Sequence, residues 1–142
     1  MGIEWDDVVQ VVGDVWQTAL GLPAVPDDAP AHAAGPRVVG TVSIRGSCQA
    51  DVTLGCDAAL ARRAAATFFA VPEASVTREM VHDAVGELAN MTGGQLKALL
   101  PEGCTLTPPV TRDDLPAEPP AGGLGFRAAD QTFSVEVRTP GS

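Results

Sequence analysis

The sequence predicts an α+β fold: a layer of long helices packed on a mostly antiparallel sheet, in the order helix, hairpin, two helices, further strands. Three observations predict it. Apolar residues recur at three- and four-residue spacing near Trp5 to Leu20 and again from Val76 to Pro101, which is the helical period. From Arg37 to Cys56 the period is two, and it returns between Leu124 and Thr139, as in half-buried strands. With 142 residues, 45% of them hydrophobic, the chain has the size and apolar content of one domain, so residues 1–142 are read as a single unit.

The first helix runs from near Trp5 to Leu20, with Val8, Val12, Val15, Trp16 and Ala19 on its apolar side and Gln10, Asp14 and Gln17 opposite; Gly21 and Pro23 end it. Leu22 to Pro36, rich in proline, alanine and aspartate, reads as a surface connection. Val38, Gly40, Val42 and Ile44 then alternate with Val39, Thr41, Ser43 and Arg45, the turn signal Gly46-Ser47 follows, and Cys48 to Leu54 alternates again, a hairpin. Asp57 stands at an N-cap position before an alanine-rich second helix from Ala58 to about Phe69. Pro72 separates it from a third, whose cap is Ser75 or Thr77. Cys104 to Arg112 is β-like, but Pro108-Pro109 make it an edge or broken strand. Asp113 to Gly123 reads as loop, and Leu124–Ala128 with Thr132–Thr139 as a closing hairpin around Asp130-Gln131.

Composition narrows the partners. A formal charge of −9 with a single lysine opposes binding to nucleic acid or to an anionic membrane. No stretch approaches the roughly 18–20 apolar residues of a spanning helix, and the acidic start MGIEWDD is unlike a signal peptide, so a cytoplasmic location is expected. Cys48, Cys56 and Cys104 lack C-x-x-C spacing and are expected as buried, reduced thiols; with His32 and His82 far apart, no metal site is expected. Neither G-x-S-x-G nor a P-loop is present.

The third helix carries the unusual residues. Val81, Val85, Leu88, Met91, Leu96 and Leu99 form its apolar face, while Asp83, Glu87, Asn90, Gly94 and Lys97 fall in one polar column. Gly86, Asn90, Thr92, Gly93 and Gly94 cost roughly 4 kcal/mol of helix propensity against alanine. Close packing of another element and a solvated face would account for both features. An acid/base pair of Asp83 and Glu87 would not flank a substrate, because neighbours one turn apart point in parallel.

The segment Asp83-Ala-Val-Gly-Glu87-Leu-Ala-Asn90 resembles the active-site helix of the CheC/CheX/FliY phosphatases of bacterial chemotaxis, whose signature is Asp or Ser, three residues, Glu, two residues, Asn. The CheX branch fits best, and the element order agrees over most of the chain. The resemblance implies a hydrolase acting on the aspartyl-phosphate of a CheY-like receiver domain, with Asn90 and Glu87 catalytic: Asn90 orients the attacking water and Glu87 engages the receiver's lysine. It implies partner-binding roles for Asp83, which holds the motif's first position, and for Gly86 and Gly94, where the receiver could approach the helix backbone. Mg²⁺ is expected on the receiver and no cofactor on this chain. A homodimer joined through sheets is expected by analogy with that branch. Met91-Thr92-Gly93-Gly94 departs from the isoleucine, alanine, glycine, asparagine common after the motif. Gly13-Asp14-Val-Trp-Gln17 on the first helix echoes Gly86-Glu87-Leu-Ala-Asn90, suggesting a pseudo-duplicated half whose first copy is decayed or purely structural. A receiver-binding scaffold of the same fold is the rival expectation.

Overall fold

The computed structural model describes residues 3–27, 35–114 and 123–139. Helix α1 (Trp5–Leu20) is followed by β1 (Val25–Pro26), β2 (Arg37–Gly46), β3 (Ala50–Asp57), α2 (Ala58–Phe69), α3 (Arg78–Lys97), β4 (Cys104–Leu106), β5 (Val110–Asp114), β6 (Leu124–Ala128) and β7 (Gln131–Arg138). The helices pack on a seven-stranded antiparallel sheet, the α+β layer that the sequence predicts.

Period two is what sorts the sheet's faces. Val38, Val42 and Ile44 of β2, with Val52, Leu54 and Cys56 of β3, point toward the helices and are buried. Their alternates build a polar face: Thr41 meets Thr53 at 3.2 Å, and Asp51 accepts from Ser43 Oγ at 2.7 Å and from Arg45 at 3.0 Å. Under α1, the Trp16 indole stacks on Phe133 at 4.0 Å, and Phe133 on Phe126 at 5.1 Å. The Trp16 Nε1 proton is buried with no acceptor among the described residues, a cost the stacking has to outweigh.

The strand order is β1-β6-β7-β3-β2, with both β4 and β5 on the outer edge of β2. Exchanging β2 with β6, β3 with β7 and β1 with β5 leaves this order unchanged. Two copies of a helix, a short strand and a hairpin are therefore interleaved, each short strand pairing with the other copy's hairpin. Gly13 of α1 faces Ala24, just before β1, as Gly86 of α3 faces Thr111 of β5. The repeat suggested by the sequence thus has a topological counterpart.

Several expectations need correction. Leu22–Pro36 is not wholly a connection: Val25 and Pro26 pair with Arg127 and Phe126, and Asp27 N–H donates to Gly125 O at 2.9 Å. Two residues at a sheet edge, one a proline, give no readable alternation. Asp57 lies at the N-cap of α2 without a side-chain cap bond; its carboxylate accepts from Thr132 Oγ1 at 2.8 Å on β7. Thr77, not Ser75, caps α3, accepting from Met80 N–H at 3.2 Å, while Ser75 ends a 3₁₀ turn over Glu73–Ser75.

Because α3 stops at Lys97, Leu99 turns outward at 47% exposure and Leu100 is buried in its place. The break at Pro108-Pro109 is as expected, and the Ser43–Thr107 pair bridges it: Thr107 N–H donates to Ser43 O at 2.8 Å and Ser43 N–H to Thr107 Oγ1 at 2.9 Å. Asp113 and Asp114, expected in a loop, are strand residues opposite Val38 and Arg37; residues 115–122 of that expected loop lie outside the described residues. The closing hairpin turns at Ala129-Asp130, one residue earlier than expected, with φ of 51° and 62° as a two-residue primed turn requires.

Candidate active site

Helix α3 lies across β2, and its glycines make that approach possible. A Cβ built on Gly93 would overlap Val42 Cγ2 and lie 3.1 Å from Leu106 Cδ1, and one built on Gly40 of β2 would lie 3.1 Å from Val85 Cγ1. Thr92, buried beside Gly93, satisfies its hydroxyl on Leu88 O at 2.7 Å. The departure from the usual residues after the motif is therefore accommodated: Thr92 bonds within its own helix and Gly93 packs on the sheet.

The polar column lies on the other side. Asp83 and Glu87 are exposed, and Asn90, Gly94 and Lys97 are half-buried. At a three-residue spacing the Cβ atoms of Glu87 and Asn90 are neighbours, roughly 5–6 Å apart. Among the described residues no side chain hydrogen-bonds or pairs with Asp83, Glu87 or Asn90, and neither amide atom of Asn90 is buried without a partner. A carboxylate and a carboxamide thus stand side by side, facing water with their hydrogen-bonding capacity free. Nothing lies within 4 Å of a Cβ built on Gly94, so that backbone is open.

Gly86 is different, and the expectation that a partner approaches the backbone there is corrected. It is buried, and a Cβ on it would meet Thr111 Cγ2 at 3.4 Å and Pro109 at 3.6 Å. Its missing side chain makes room for the start of β5.

A latch missed by the sequence reading holds β5 in that place. His82 Nδ1 lies 2.8 Å from Thr111 Oγ1 and Nε2 lies 3.0 Å from Asp113 Oδ1; Arg78 donates to Asp113 Oδ2 from two nitrogens, at 2.9 and 2.7 Å. The Arg78 hydrogen bonds, then that of His82, hold the Asp113 carboxyl below its ordinary range. Partners about 30 residues apart across a proline break leave no local signal in the sequence.

On α1 the echoing pair is arranged otherwise. Asp14 and Gln17 are exposed, but the Asp14 carboxylate accepts from Gln10 Nε2 at 3.1 and 3.3 Å and is engaged by its own helix. Among the described residues no three His, Cys, Asp or Glu side chains gather as metal ligands, and no helix is long and apolar enough to cross a membrane.

Helices layered on an antiparallel sheet, with E-x-x-N on the outward side of α3, define the class: this is the architecture of the CheC/CheX/FliY proteins. Residues 38–119 match the family model described as chemotaxis phosphatase CheX, more than half of the chain, and the protein belongs to that family. Among solved structures it is similar to CheX of Desulfovibrio desulfuricans, with a TM-score of 0.73 and 18% identity over 94% of this chain and 97% of that one. CheX of Vibrio vulnificus gives 0.73 and 19% over 94% and 96%. CheX of Borrelia burgdorferi, solved in complex with CheY, BeF3 and Mg²⁺, gives 0.66 and 15% over 97% and 99%. Identities this low carry the fold alone. No curated protein sequence matches the chain significantly.

Proposed function

We propose that this protein accelerates hydrolysis of the aspartyl-phosphate on a CheY-like receiver domain. The observation that carries the reading is the unpartnered Glu87 and Asn90 pair on the outward side of α3 in a CheX-family fold. That the similar Borrelia burgdorferi structure is a complex with CheY supports the choice of partner.

An acyl phosphate is already reactive, so the second protein has mainly to place a water for in-line attack. A divalent ion carried by the receiver would neutralise charge on the phosphoryl oxygens. Asn90 is suited to the water: its carboxamide both donates and accepts but does not take a proton near pH 7, so it orients rather than deprotonates. Glu87, one turn earlier, accepts a charge-assisted hydrogen bond from the receiver's lysine and registers the two surfaces. Asp83 extends the negative column by one more turn, and the open backbone at Gly94 admits a receiver loop. Such a circuit is cytoplasmic, and an edge strand of the sheet would join two copies in a homodimer, which light scattering would measure.

The test uses a receiver charged with acetyl phosphate. Wild-type protein should speed phosphate loss, Asn90→Ala should lower the rate about a hundredfold at unchanged affinity, and Glu87→Ala should weaken association. Association without acceleration by the wild type would leave a scaffold.

A further inference from the structure

We propose that Cys48 and Cys104 form a redox-active dithiol, which a hydroperoxide converts to a disulfide joining the β2–β3 turn to the chain leaving α3. The fold brings these distant residues together. Gly46 pairs with Cys104 in the β2–β4 register, and the turn beyond it folds over residues 101–104. Ser47 N–H donates to Gly103 O at 3.2 Å, and its hydroxyl lies 2.8 Å from Glu102 O and 3.3 Å from Cys104 Sγ, able to turn its one proton to either. Gly46 and Gly103, at φ of 116° and 92°, permit the approach; a Cβ on Gly46 would overlap Gly103 O.

Both cysteines are free and half-buried, and Cys48 directly follows Ser47, whose hydroxyl lies 3.3 Å from the Cys104 sulfur, so the two thiols are neighbours across the turn. The sequence expectation of three buried thiols holds for Cys56 alone.

The two thiols are unequal. The Ser47 hydroxyl, helped by the Cys48 N–H and the charge of Lys97, holds Cys104 below the ordinary thiol range, while burial and the neighbouring sulfur push Cys48 above it. Cys104 is therefore the attacking sulfur and Cys48 the resolving one. The Cys104 thiolate attacks the distal oxygen of the hydroperoxide. The O–O bond breaks, the alcohol (or water, from hydrogen peroxide) leaves with a proton, and a sulfenic acid remains. The Cys48 sulfur then attacks the Cys104 sulfur, the S–O bond breaks, and hydroxide leaves with the Cys48 proton as water. Two thiols lose two electrons and the hydroperoxide gains them. Cys56 is a built-in control, because complete burial pushes its thiol far above the usual range.

Hydrogen peroxide on the full chain, followed by peptide mapping in denaturant, tests this. The expected product is one intramolecular Cys48–Cys104 link, lighter by two hydrogens, reversed by dithiothreitol, with Cys56 still reduced. Cys48→Ser should stop at a Cys104 sulfenic acid that dimedone traps. Wild-type protein that yields only intermolecular dimers, over-oxidised Cys104 or unreacted thiols would overturn the proposal, and this readout needs no variant to fold.

Discussion

Replacing Gly93 and Gly94 by alanine, one at a time, separates what two adjacent glycines do in the same helix. Alanine is favoured over glycine in a helix interior by about 0.8–1 kcal/mol, a gain common to both positions. Around Gly94 there is open space for 4 Å, so Gly94→Ala should raise stability by about 0.5–1 kcal/mol. At Gly93 the same methyl overlaps Val42 Cγ2 and crowds Leu106 Cδ1 at 3.1 Å. Val42 is fully buried and β-branched, with little rotameric freedom to yield, so α3 or β2 must shift. Overpacking of this kind costs about 1–3 kcal/mol, which leaves Gly93→Ala between neutral and about 2 kcal/mol destabilised. Helix propensity cancels in the difference, so the two variants should stand apart by about 1–3 kcal/mol, read from urea midpoints at unchanged slope. Equal midpoints, or Gly93→Ala the more stable of the two, would refute the claim that this glycine exists for the helix–sheet contact.

Three further outcomes are expected. Phe133→Ala, which removes the ring between Trp16 and Phe126, should cost about 3–5 kcal/mol in urea unfolding. The carboxyls of Asp51, Asp113 and Asp114 are held below their ordinary value near 3.8, chiefly by hydrogen bonds from Ser43, Arg78 and Arg37 respectively. Depressed folded-state values contribute stability that is complete above the unfolded value and lost as pH falls through the folded one. Urea midpoints should therefore decline below about pH 4, and Asp114→Asn should flatten that decline. Asp14→Ala and Gln17→Ala should leave receiver dephosphorylation unchanged, since Asp14 is occupied by Gln10; a large drop in either would place chemistry on α1.

What the sequence could say depended on how local the cause was. The period-two run through Val38, Val42 and Ile44, and the helical column Asp83, Glu87, Asn90, are set by backbone geometry alone, and both stand where the pattern places them. Leu99 fails because periodicity does not announce that the helix stops two residues earlier, and β1 fails because two residues carry no period. Of the site, the outward pair was legible. The burial of Gly86 and the His82–Asp113 latch were not, because both depend on β5 returning across a proline break to the edge of β2. The approach of Cys48 to Cys104 is hidden in the same way, since only the β2–β4 register creates it.

The central claim concerns one carboxamide, and single-turnover decay of a phosphorylated receiver mixed with excess protein measures it directly. With every receiver engaged, the wild type should clear the phosphate far faster than the receiver clears it alone, and Asn90→Ala, binding just as tightly, should fall back toward that spontaneous decay. An Asn90→Ala protein that keeps the wild-type rate under saturation would contradict the account.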